Sequence, residues 1–367
     1  MRVVMLSKAL VVGAYQQKLR EIAALGDIDL VAIVPPAWRD GARLQRLERR
    51  PAEGYRLLIT PIAWNGRFHW HYYPRLPGLL RELRPDLLHI DEEPYNLATF
   101  HALRAARRAG ARALFFSWQN IARAYPPPFR WMERYAYAHA EAAIAGTPSA
   151  AGVLREKGYA GPLTIIPQFG VDPQIFSPRP RPPNPVWTVG YAGRLVEEKG
   201  LRILLDALER LGDDWRLALA GSGPLREEIR RWFTARGILD RLDLREHLDS
   251  RLMPEFLNGL DVLVLPSLTR PNWKEQFGRV LVEAMACGVP VIGSDSGEIP
   301  AVIAEAGLIF PEGRAEALAE RLDTLRRDET RSRGLAMAGR QRVLAHYTQA
   351  RIAEQTVDLY RQILGVR

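Results

Sequence analysis

Two glutamates, Glu275 and Glu283, lie eight positions apart and carry side chains that could bind a polyol. The preceding residues 261–265 form a short apolar run that ends at a proline, which is typical of a buried strand followed by a loop. From Phe277 the apolar residues have helical spacing, and Gly288 with a proline just beyond it ends the helix. The sequence therefore predicts Glu275 in the loop before a helix and Glu283 within that helix.

The position of Glu283 on this helix favours a binding role. At about 100° per residue it lies roughly 60° from Val280, at the border of the apolar stripe, from where a side chain reaches a cleft. A carboxylate there can accept hydrogen bonds from two neighbouring hydroxyls of a sugar or a ribose. Near Glu275, Gly278 allows close approach of backbone to a ligand, and the N–H groups of a helix start favour anions. The pattern predicts a pocket for a polyol that carries phosphate.

Each glutamate also has a purely structural interpretation. Glu283 follows Arg279 by four residues and is spaced to form an ion pair with it, although Arg before Glu is the weaker orientation. Glu275 could be a solvated residue of the kind that is favoured near a helix N-terminus. The spacing alone leaves both interpretations open.

Two cations, Arg194 and Lys199, form a second candidate group in the loop GRLVEEKG at 193–200, after a predicted strand at 186–191. Cations at a glycine-flanked turn from strand to helix neutralise phosphate oxygens and the charge that grows on a leaving diphosphate. Lysine is rare in this chain, which has it only at positions 8, 18, 157, 199 and 274. The structural alternative is that Arg and Lys are common at helix entrances.

These segments carry a family resemblance. EQFGRVLVE followed by AMACGVPVIGS resembles the E-x7-E signature of the retaining nucleotide-sugar glycosyltransferases of family 4, and GRLVEEKG is similar to their G-R-L-x-x-x-K-G. Residues 165–178 resemble the segment that closes the first domain of these enzymes. The resemblance implies an α/β protein of GT-B fold, in which two Rossmann-like domains face each other across a cleft.

The resemblance also implies roles for these residues. Arg194 and Lys199 stabilise the departing diphosphate, Glu275 positions the donor sugar together with the backbone of Phe277 and Gly278, and Glu283 binds the ribose. Further donor contacts are implied at four glycines, which are Gly193, Gly221, Gly223 and Gly297. The implied reaction moves a sugar from a nucleotide-diphosphate sugar to a hydroxyl acceptor with retention, and the leaving phosphate itself takes the acceptor proton.

The first half of the chain predicts a parallel sheet. Short apolar runs alternate with helical or loop segments, at 2–7, 29–34, 55–60, 86–91, 111–117 and 142–145. Asp91, Glu92 and Glu93 follow one of these runs, where parallel sheets hold their ligands, and are candidates for acceptor hydroxyls. They could equally cap the next helix.

Three further residues are candidates on the acceptor side. By resemblance the loop around Gly13 borders the cleft. Many relatives carry a histidine near the end of the strand at 111–117, where this chain has Gln119 and Asn120. Amide side chains can hydrogen-bond sugar hydroxyls but cannot act as a general base.

A length of 367 residues predicts two domains. We expect an acceptor domain at 1–176, a proline-rich linker at 177–185, a donor domain at 186–348, and a final helix at 349–367 that packs back on the first domain. The sequence GSGP at 221–224 has Arg226 in place of a third dinucleotide-binding glycine, which argues against a hydride-transfer fold.

The formal net charge of +9 suits phosphorylated small molecules, an anionic membrane or nucleic acid, and the absence of any nucleic-acid-binding motif excludes the last as an expected partner. Residues 67–84 and 123–137 mix aromatic side chains with arginine. They either pack in the core and at its rim or contact a membrane peripherally. Without a run of eighteen apolar residues or a signal-peptide layout, we expect a cytoplasmic protein, with membrane association on the cytoplasmic face as the second expectation.

The expected partners are a nucleotide sugar and a hydroxyl acceptor, which is a sugar, a glycolipid or a small polyol, in cell-envelope polysaccharide, glycolipid or small-glycoside synthesis. We expect no cofactor and no metal, since Cys287 is the only cysteine and His69, His71 and His89 have no metal-ligand spacing. Two alternatives remain: a nucleotide-sugar epimerase of GT-B fold and a non-catalytic nucleotide-sugar binding protein.

Overall fold

The computed structural model of the chain describes residues 1–41, 43–180, 186–246, 248–249 and 251–366. The chain divides into two compact units. Unit 1 comprises Met1–Gly170 and Gln349–Arg367, and unit 2 comprises Val171–Thr348. Each unit is built on its own parallel sheet.

Unit 1 contains a seven-stranded sheet of order β5-β2-β1-β6-β7-β8-β9, and all its neighbouring strands are parallel. A separate antiparallel hairpin is formed by β3 and β4. The strands are β1 Arg2–Leu6, β2 Asp29–Val34, β3 Ala37–Asp40, β4 Arg43–Arg46, β5 Tyr55–Ile59, β6 Leu87–Ile90, β7 Arg112–Ser117, β8 Ala142–Ala145 and β9 Leu163–Ile165. The helices, numbered along the whole chain, are α1 Gln17–Ala24, α2 Leu76–Leu83, α3 Leu97–Ala109, α4 Phe129–His139, α5 Pro148–Glu156 and α13 Gln349–Leu364.

The central strands of this sheet are apolar on both faces because helices cover both sides. On β1, Val3 and Met5 belong to one core cluster, which also contains residues of α1 and α13. Val4 and Leu6 belong to another cluster, which contains residues of α2 and α3. The last helix is tied to the sheet by His89 of β6, whose Nδ1 lies 2.7 Å from the hydroxyl oxygen of Tyr360.

Unit 2 contains a six-stranded parallel sheet of order β12-β11-β10-β13-β14-β15. The strands are β10 Trp187–Ala192, β11 Trp215–Ala220, β12 Leu242–Arg245, β13 Val262–Leu265, β14 Val291–Ser294 and β15 Leu308–Phe310. The helices are α6 Leu201–Glu209, α7 Arg226–Ala235, α8 Met253–Asn258, α9 Arg279–Ala286, α10 Ile299–Ile303, α11 Ala315–Arg327 and α12 Glu329–His346. The expected α/β architecture with two Rossmann-like halves is confirmed.

The strand order reverses once in each sheet, between β1 and β6 in unit 1 and between β10 and β13 in unit 2. At such a point the connections leave toward opposite sides of the sheet, which opens a crevice at the carboxyl ends of the strands. Ligands of open α/β sheets bind in this crevice. Each unit therefore has one favoured position for a site.

The predicted start of the helix after Glu275 is wrong by two residues. Helix α9 begins at Arg279 rather than at Phe277, because Gly278 before it has a left-handed backbone conformation. Helix α1 begins at Gln17, after a 3-10 turn at Gly13–Gln16.

Unit 1 and the predicted first domain end at different residues. The first unit reaches residue 170 where the sequence placed the limit at 176, and both schemes place a limit at 348/349. Residues 181–185 of the predicted linker lie outside the described part of the chain. Among the described residues, no helix is both long and apolar enough to cross a membrane.

Candidate active site

Lys199 and Glu275 meet at the reversal point of the sheet in unit 2. Lys199 ends a 3-10 turn that follows β10, and Glu275 lies in the loop between β13 and α9. Lys199 Nζ lies 2.5 Å from Glu275 Oε2, and both side chains are mostly buried. The Ser267 hydroxyl donates to the same Oε2 at 2.8 Å, and the Trp273 ring centroid lies 5.1 Å from Nζ. The structure thus brings together two residues that are 76 positions apart in the sequence.

The loop at 294–300 supports Glu275 through its backbone. Gly297 has φ +57°, and a Cβ on it would lie 2.1 Å from the carbonyl oxygen of Glu275. The N–H of Glu298 donates to that same carbonyl oxygen at 3.2 Å. Only glycine fits at position 297, because a side chain would push Glu275 out of place.

The loops after β10 and β11 also touch through their backbones. Gly193 N–H donates to the Ala220 carbonyl at 2.9 Å. Gly221 has φ +150°, and a Cβ there would lie 1.9 Å from the Gly193 carbonyl oxygen. Gly223 approaches the carbonyl of Leu195 in the same way. Three of the predicted donor glycines therefore lie side by side at the carboxyl end of the sheet.

Arg194 is an accessible cation of this region. Its side chain is 63% exposed and pairs with Glu198, Nη2 to Oε1, at 3.3 Å. The Tyr191 hydroxyl donates to the Arg194 carbonyl at 2.7 Å and fixes the backbone of the loop. An exposed guanidinium on a fixed loop is suited to bind phosphate from solution.

Glu283 lies on α9 and is almost fully buried. Arg279 Nε lies 2.8 Å from Glu283 Oε1, so the ion pair of the structural interpretation is formed. Burial raises the pKa of Glu283, while the charge and hydrogen bond of Arg279 act in the opposite direction. Phe277 packs edge-to-face against Tyr347 with ring centroids 5.7 Å apart, and Gly278 is the N-cap of α9.

In unit 1 three carboxylates follow β6 at the reversal point of that sheet. Asp91 accepts hydrogen bonds from the Ser7 hydroxyl at 2.5 Å and from Gln168 Nε2 at 2.8 Å. Glu93 accepts from the Ser117 hydroxyl at 2.7 Å and from the Trp118 N–H at 2.8 Å. These groups join the ends of β1, β6 and β7.

Glu92 is the strongly charged member of the three. It pairs with Lys8, and its Oε1 lies 3.3 Å from His71 Nε2, with all three side chains largely or fully buried. Burial alone would raise the pKa of Glu92, but the charges of Lys8 and then His71 outweigh it and hold that pKa at about 2. Glu92 is therefore ionised throughout the physiological range.

Two family models match consecutive parts of the chain. The model described as glycosyl transferases group 1 matches residues 174–342, and the glycosyl transferase 4-like domain model matches residues 12–168. The chain belongs to the group 1 glycosyltransferases. The first match contains the Lys199 and Glu275 site of unit 2, and the second contains the carboxylates of unit 1.

Individual relatives agree with this family. The glycosyltransferase is 29% identical to an alpha-maltose-1-phosphate synthase of Mycolicibacterium smegmatis, over 80% of this chain and 78% of that protein. It is 27% identical to the sulfoquinovosyl transferase SQD2 of Arabidopsis thaliana, over 86% of this chain and 64% of that protein.

Solved structures show the fold. A sucrose-phosphate synthase from Thermosynechococcus elongatus superposes with a TM-score of 0.75 at 22% identity, covering 100% of this chain and 99% of that one. Anabaena Alr3699/HepE in complex with UDP superposes with a TM-score of 0.75 at 18% identity, covering 99% of this chain and 100% of that one. The glycosyltransferase therefore has the GT-B fold, as the resemblance implied.

In the structure of the glycosyltransferase, Asp91, Glu92 and Glu93 do not cap the next helix, which was the structural alternative for these residues. Helix α3 begins only at Leu97, and its N-cap Asn96 makes no side-chain capping bond. The carboxylate of Glu93 instead contacts β7, and only its backbone carbonyl accepts from the Thr99 hydroxyl, at 2.7 Å. An acceptor role for Asp91, Glu92 and Glu93 stays a prediction.

The other acceptor-side candidates, which are Gln119, Asn120 and Gly13, lie among other residues of unit 1. Gln119 accepts from Lys157 Nζ at 3.3 Å and donates to the Ile121 carbonyl at 3.1 Å. Asn120 is buried beside it. Gly13 donates its N–H to Glu48 Oε2 at 3.0 Å, which places a carboxylate in the loop after β1. In the described part of the chain, no three His, Cys, Asp or Glu side chains are grouped as metal ligands would be.

Sequence reasoning missed several residues of these networks, among them Ser267, Lys8 and Trp273. Ser267 and Lys8 lie within two positions of a strand's carboxyl end, which was the signal that could have found them. Lys8 is in addition one of the rare lysines. Trp273 carries no such signal, because its contact with Lys199 depends on the path of a long loop.

We expect Glu93 to make the glycosyltransferase less stable as the pH rises. Burial raises the pKa of Glu93 to about 7 from an ordinary value of 4.5, although the Trp118 and Ser117 hydrogen bonds oppose this. The folded state therefore keeps a proton that the unfolded chain loses above pH 4.5, and stability falls up to pH 7. The fall is about 3 kcal/mol in the free energy of unfolding.

The test is urea unfolding of wild type and Glu93→Gln across this pH range. Gln imitates the protonated acid, so the variant should lack the fall that Glu93 causes. Exposed Glu156→Gln changes the net charge equally and should keep the wild-type slope. Parallel curves for wild type and Glu93→Gln would contradict the prediction.

Proposed function

We propose that this glycosyltransferase moves a sugar from a nucleotide-diphosphate sugar to a hydroxyl acceptor with retention at the anomeric carbon. The observation that carries the proposal is the ion pair of Lys199 and Glu275, with Nζ and Oε2 2.5 Å apart at the reversal point of the sheet in unit 2. A cation at this place suits a diphosphate, and a carboxylate beside it suits the sugar that the diphosphate carries.

Lys199 has the central electrostatic role in the proposed reaction. Negative charge grows on the diphosphate as its bond to the sugar breaks, and a mostly buried ammonium stabilises this charge more than one in water. Glu275 holds the ammonium in place before the donor binds. Arg194, exposed on the neighbouring loop, supplies a second cation for the phosphates.

The proposed chemistry needs no protein nucleophile. The bond between the anomeric carbon and the diphosphate oxygen breaks, and its electron pair stays on the nucleoside diphosphate. The acceptor hydroxyl oxygen forms a bond to the same face of the anomeric carbon, and its proton passes to the leaving phosphate oxygen. The products are a glycoside of retained configuration and a nucleoside diphosphate. The protein contributes position and charge stabilisation.

The comparisons support a nucleotide sugar as the donor. The Anabaena protein is described in complexes with UDP, with UDP and glucose, and with UDP-glucose. We place the donor on unit 2 and the acceptor on unit 1, at the polar end of β1 and β6. The acceptor class we propose is a sugar, glycolipid or small polyol of cell-envelope polysaccharide, glycolipid or small-glycoside synthesis.

The test begins with a thermal-shift screen of the full chain against UDP-, GDP- and ADP-sugars. We expect one donor to raise the Tm selectively and to release its nucleoside diphosphate slowly without an acceptor. Acceptor mixtures are then scanned for faster release, and the anomeric configuration of the product is read by NMR. Inverted products would contradict retention, and an epimerised nucleotide sugar formed without a new glycoside would show the alternative epimerase. If no nucleotide sugar binds, the proposed donor is wrong.

A further inference from the structure

Unit 1 exposes a group of large aromatic side chains. Trp64, Phe68, Trp70 and Trp131 are 55%, 43%, 37% and 55% exposed. The rings of Trp64 and Trp70 lie 6.3 Å apart, and Trp70 packs on Phe129, the first residue of α4, at 4.8 Å. The contact of Trp70 with Phe129 brings residues 64–72 next to the start of α4, and Trp131 lies two residues further along that helix. We call the exposed rings and arginines of residues 64–72 and 123–135 the aromatic-arginine surface.

Trp64 has an unfavourable backbone conformation at its position in this patch. Its φ is +52°, a left-handed value that bulky residues rarely adopt. Glycine or asparagine would take this conformation with less strain. The Trp64 ring packs edge-to-face on Trp70 and Tyr72, with ring centroids 6.3 Å and 5.6 Å away, yet the residue is still 55% exposed, so burial in the core does not explain a tryptophan here. A strained and exposed aromatic residue indicates a contact outside the chain.

The charge of the patch is one-sided. Arg67, Arg123, Arg130 and Arg134 are all exposed. Within residues 64–72 and 123–135 the only acidic residue is Glu133, which is buried and paired with Lys157. Helix α3, on which Trp131 packs through Phe100 at 4.8 Å, has three more exposed arginines and no acidic residue. The patch therefore presents apolar rings among positive charges that no carboxylate of these segments offsets at the surface.

We infer that the aromatic-arginine surface binds a bilayer that contains anionic phospholipid. Tryptophan and phenylalanine rings are favoured at the depth of the headgroups, and arginines pair with lipid phosphates. The charge of the patch is complementary to such a leaflet. The inference goes beyond the proposed transfer reaction and does not depend on it.

A bilayer fits this surface better than a nucleic acid does. Single-stranded nucleic acids stack their bases on open aromatic faces. Here the rings of Trp64 and Trp70 meet at 89°, and those of Trp70 and Phe129 at 64°, so edges of rings cover faces of neighbouring rings. A lipid interface accepts apolar rings in any orientation, since it offers area rather than a parallel partner.

The experiment is co-sedimentation of the full chain with vesicles, without any nucleotide sugar. We expect binding to vesicles of phosphatidylcholine mixed with phosphatidylglycerol, weaker binding at high salt, and little binding to phosphatidylcholine alone. Because no donor is present, a failure here leaves the proposed reaction untouched, and a failed donor screen leaves this inference untouched.

Two variants locate the binding surface. Arg67→Ser with Arg130→Ser should lower the partition coefficient roughly thirtyfold, since each arginine near an anionic leaflet contributes about 1 kcal/mol. Trp64→Asn with Trp131→Ser should lower it by about tenfold or more, because exposed indole area is lost. The matched controls lie in unit 2: Arg230→Ser with Arg331→Ser, and Met337→Ser, whose side chain is 64% exposed. Both controls should bind as wild type does.

Several results would overturn the inference. The inference is wrong if wild type binds no better when phosphatidylglycerol is present. It is equally wrong if the test variants bind as wild type does, or if the control variants lose binding to the same degree. RNA oligonucleotides run in parallel decide the other class of partner: binding of RNA through these residues without vesicle binding contradicts the proposal. The Tm of each variant shows whether it is folded. If the tryptophan variant is not folded, the binding of the arginine variant alone decides the result.

Discussion

Replacing Lys199 by alanine is expected to lower kcat/KM for sugar transfer at least 100-fold. Lys199 is the mostly buried cation at the proposed diphosphate site, and its ammonium is fixed by Glu275 and lies 5.1 Å from the Trp273 ring centroid. Removing one preorganised charge that stabilises the leaving group typically costs two to three orders of magnitude, about 2.7 to 4 kcal/mol in the barrier. The measurement is release of nucleoside diphosphate at saturating acceptor.

The contact with Glu275 makes a second, sharper expectation possible. Glu275→Gln leaves Ser267 its acceptor but removes the charge that holds the ammonium, so transfer should fall to a similar degree. Because the two groups touch, their effects should not multiply, and the double variant should lose about as much as the worse single variant. Multiplying losses would show that the two residues act independently and would contradict the proposed pair.

Unit 1 offers a matched control for the stability cost. Lys157 pairs with Glu133 and lies 4.7 Å from the Tyr125 ring centroid, an arrangement like that of Lys199. Lys157→Ala should therefore lower the Tm by a comparable amount, but it should leave the Kd for the nucleotide sugar unchanged. If Lys199→Ala keeps more than about a tenth of wild-type transfer, the assignment of the leaving-group cation is wrong.

The parts of the site that the sequence predicted are those that depend on strand ends. Residues 261–265 and 186–191 were predicted as strands, and β13 and β10 lie there to within one residue. The resemblance placed Glu275, Arg194 and Gly221 at one donor site, which agrees with a parallel sheet, in which the residues that follow the strands share one edge. The local pattern is strong because these strands are covered on both faces and must be almost wholly apolar.

The contacts between side chains could not be predicted from the sequence because they depend on tertiary distances. The helical spacing allowed Glu283 to pair with Arg279 or to face a cleft, and only the structure shows the 2.8 Å ion pair. The three acidic residues after β6 each contact different side chains, and no local sequence rule predicts which partner each of them has. Strand β9 and the hairpin of β3 and β4 were missed, since short, partly exposed strands lack a continuous apolar run.

A second large loss of activity is expected on substitution of Glu283. If its carboxylate binds the two ribose hydroxyls of the donor, Glu283→Ala should lower kcat/KM at least 100-fold, mainly through a higher KM. Hydrogen bonds to a charged acceptor contribute about 1.5–3 kcal/mol each, so losing two exceeds the roughly 2.7 kcal/mol that 100-fold requires. The assay is initial-rate transfer with the donor found in the screen.

Arg279→Ala is the matched control, because it breaks the same 2.8 Å ion pair but leaves the carboxylate in place. Since Arg279 holds the pKa of Glu283 down, its removal raises that pKa, and mildly alkaline buffer keeps the carboxylate ionised. A purely structural pair predicts equal losses in both variants, whereas ribose binding predicts a much smaller loss in Arg279→Ala. A 2′-deoxyribose donor separates the two directly: wild type and Arg279→Ala should prefer the ribose donor, and Glu283→Ala should not. A ribose preference that survives in Glu283→Ala would show that Glu283 only stabilises α9.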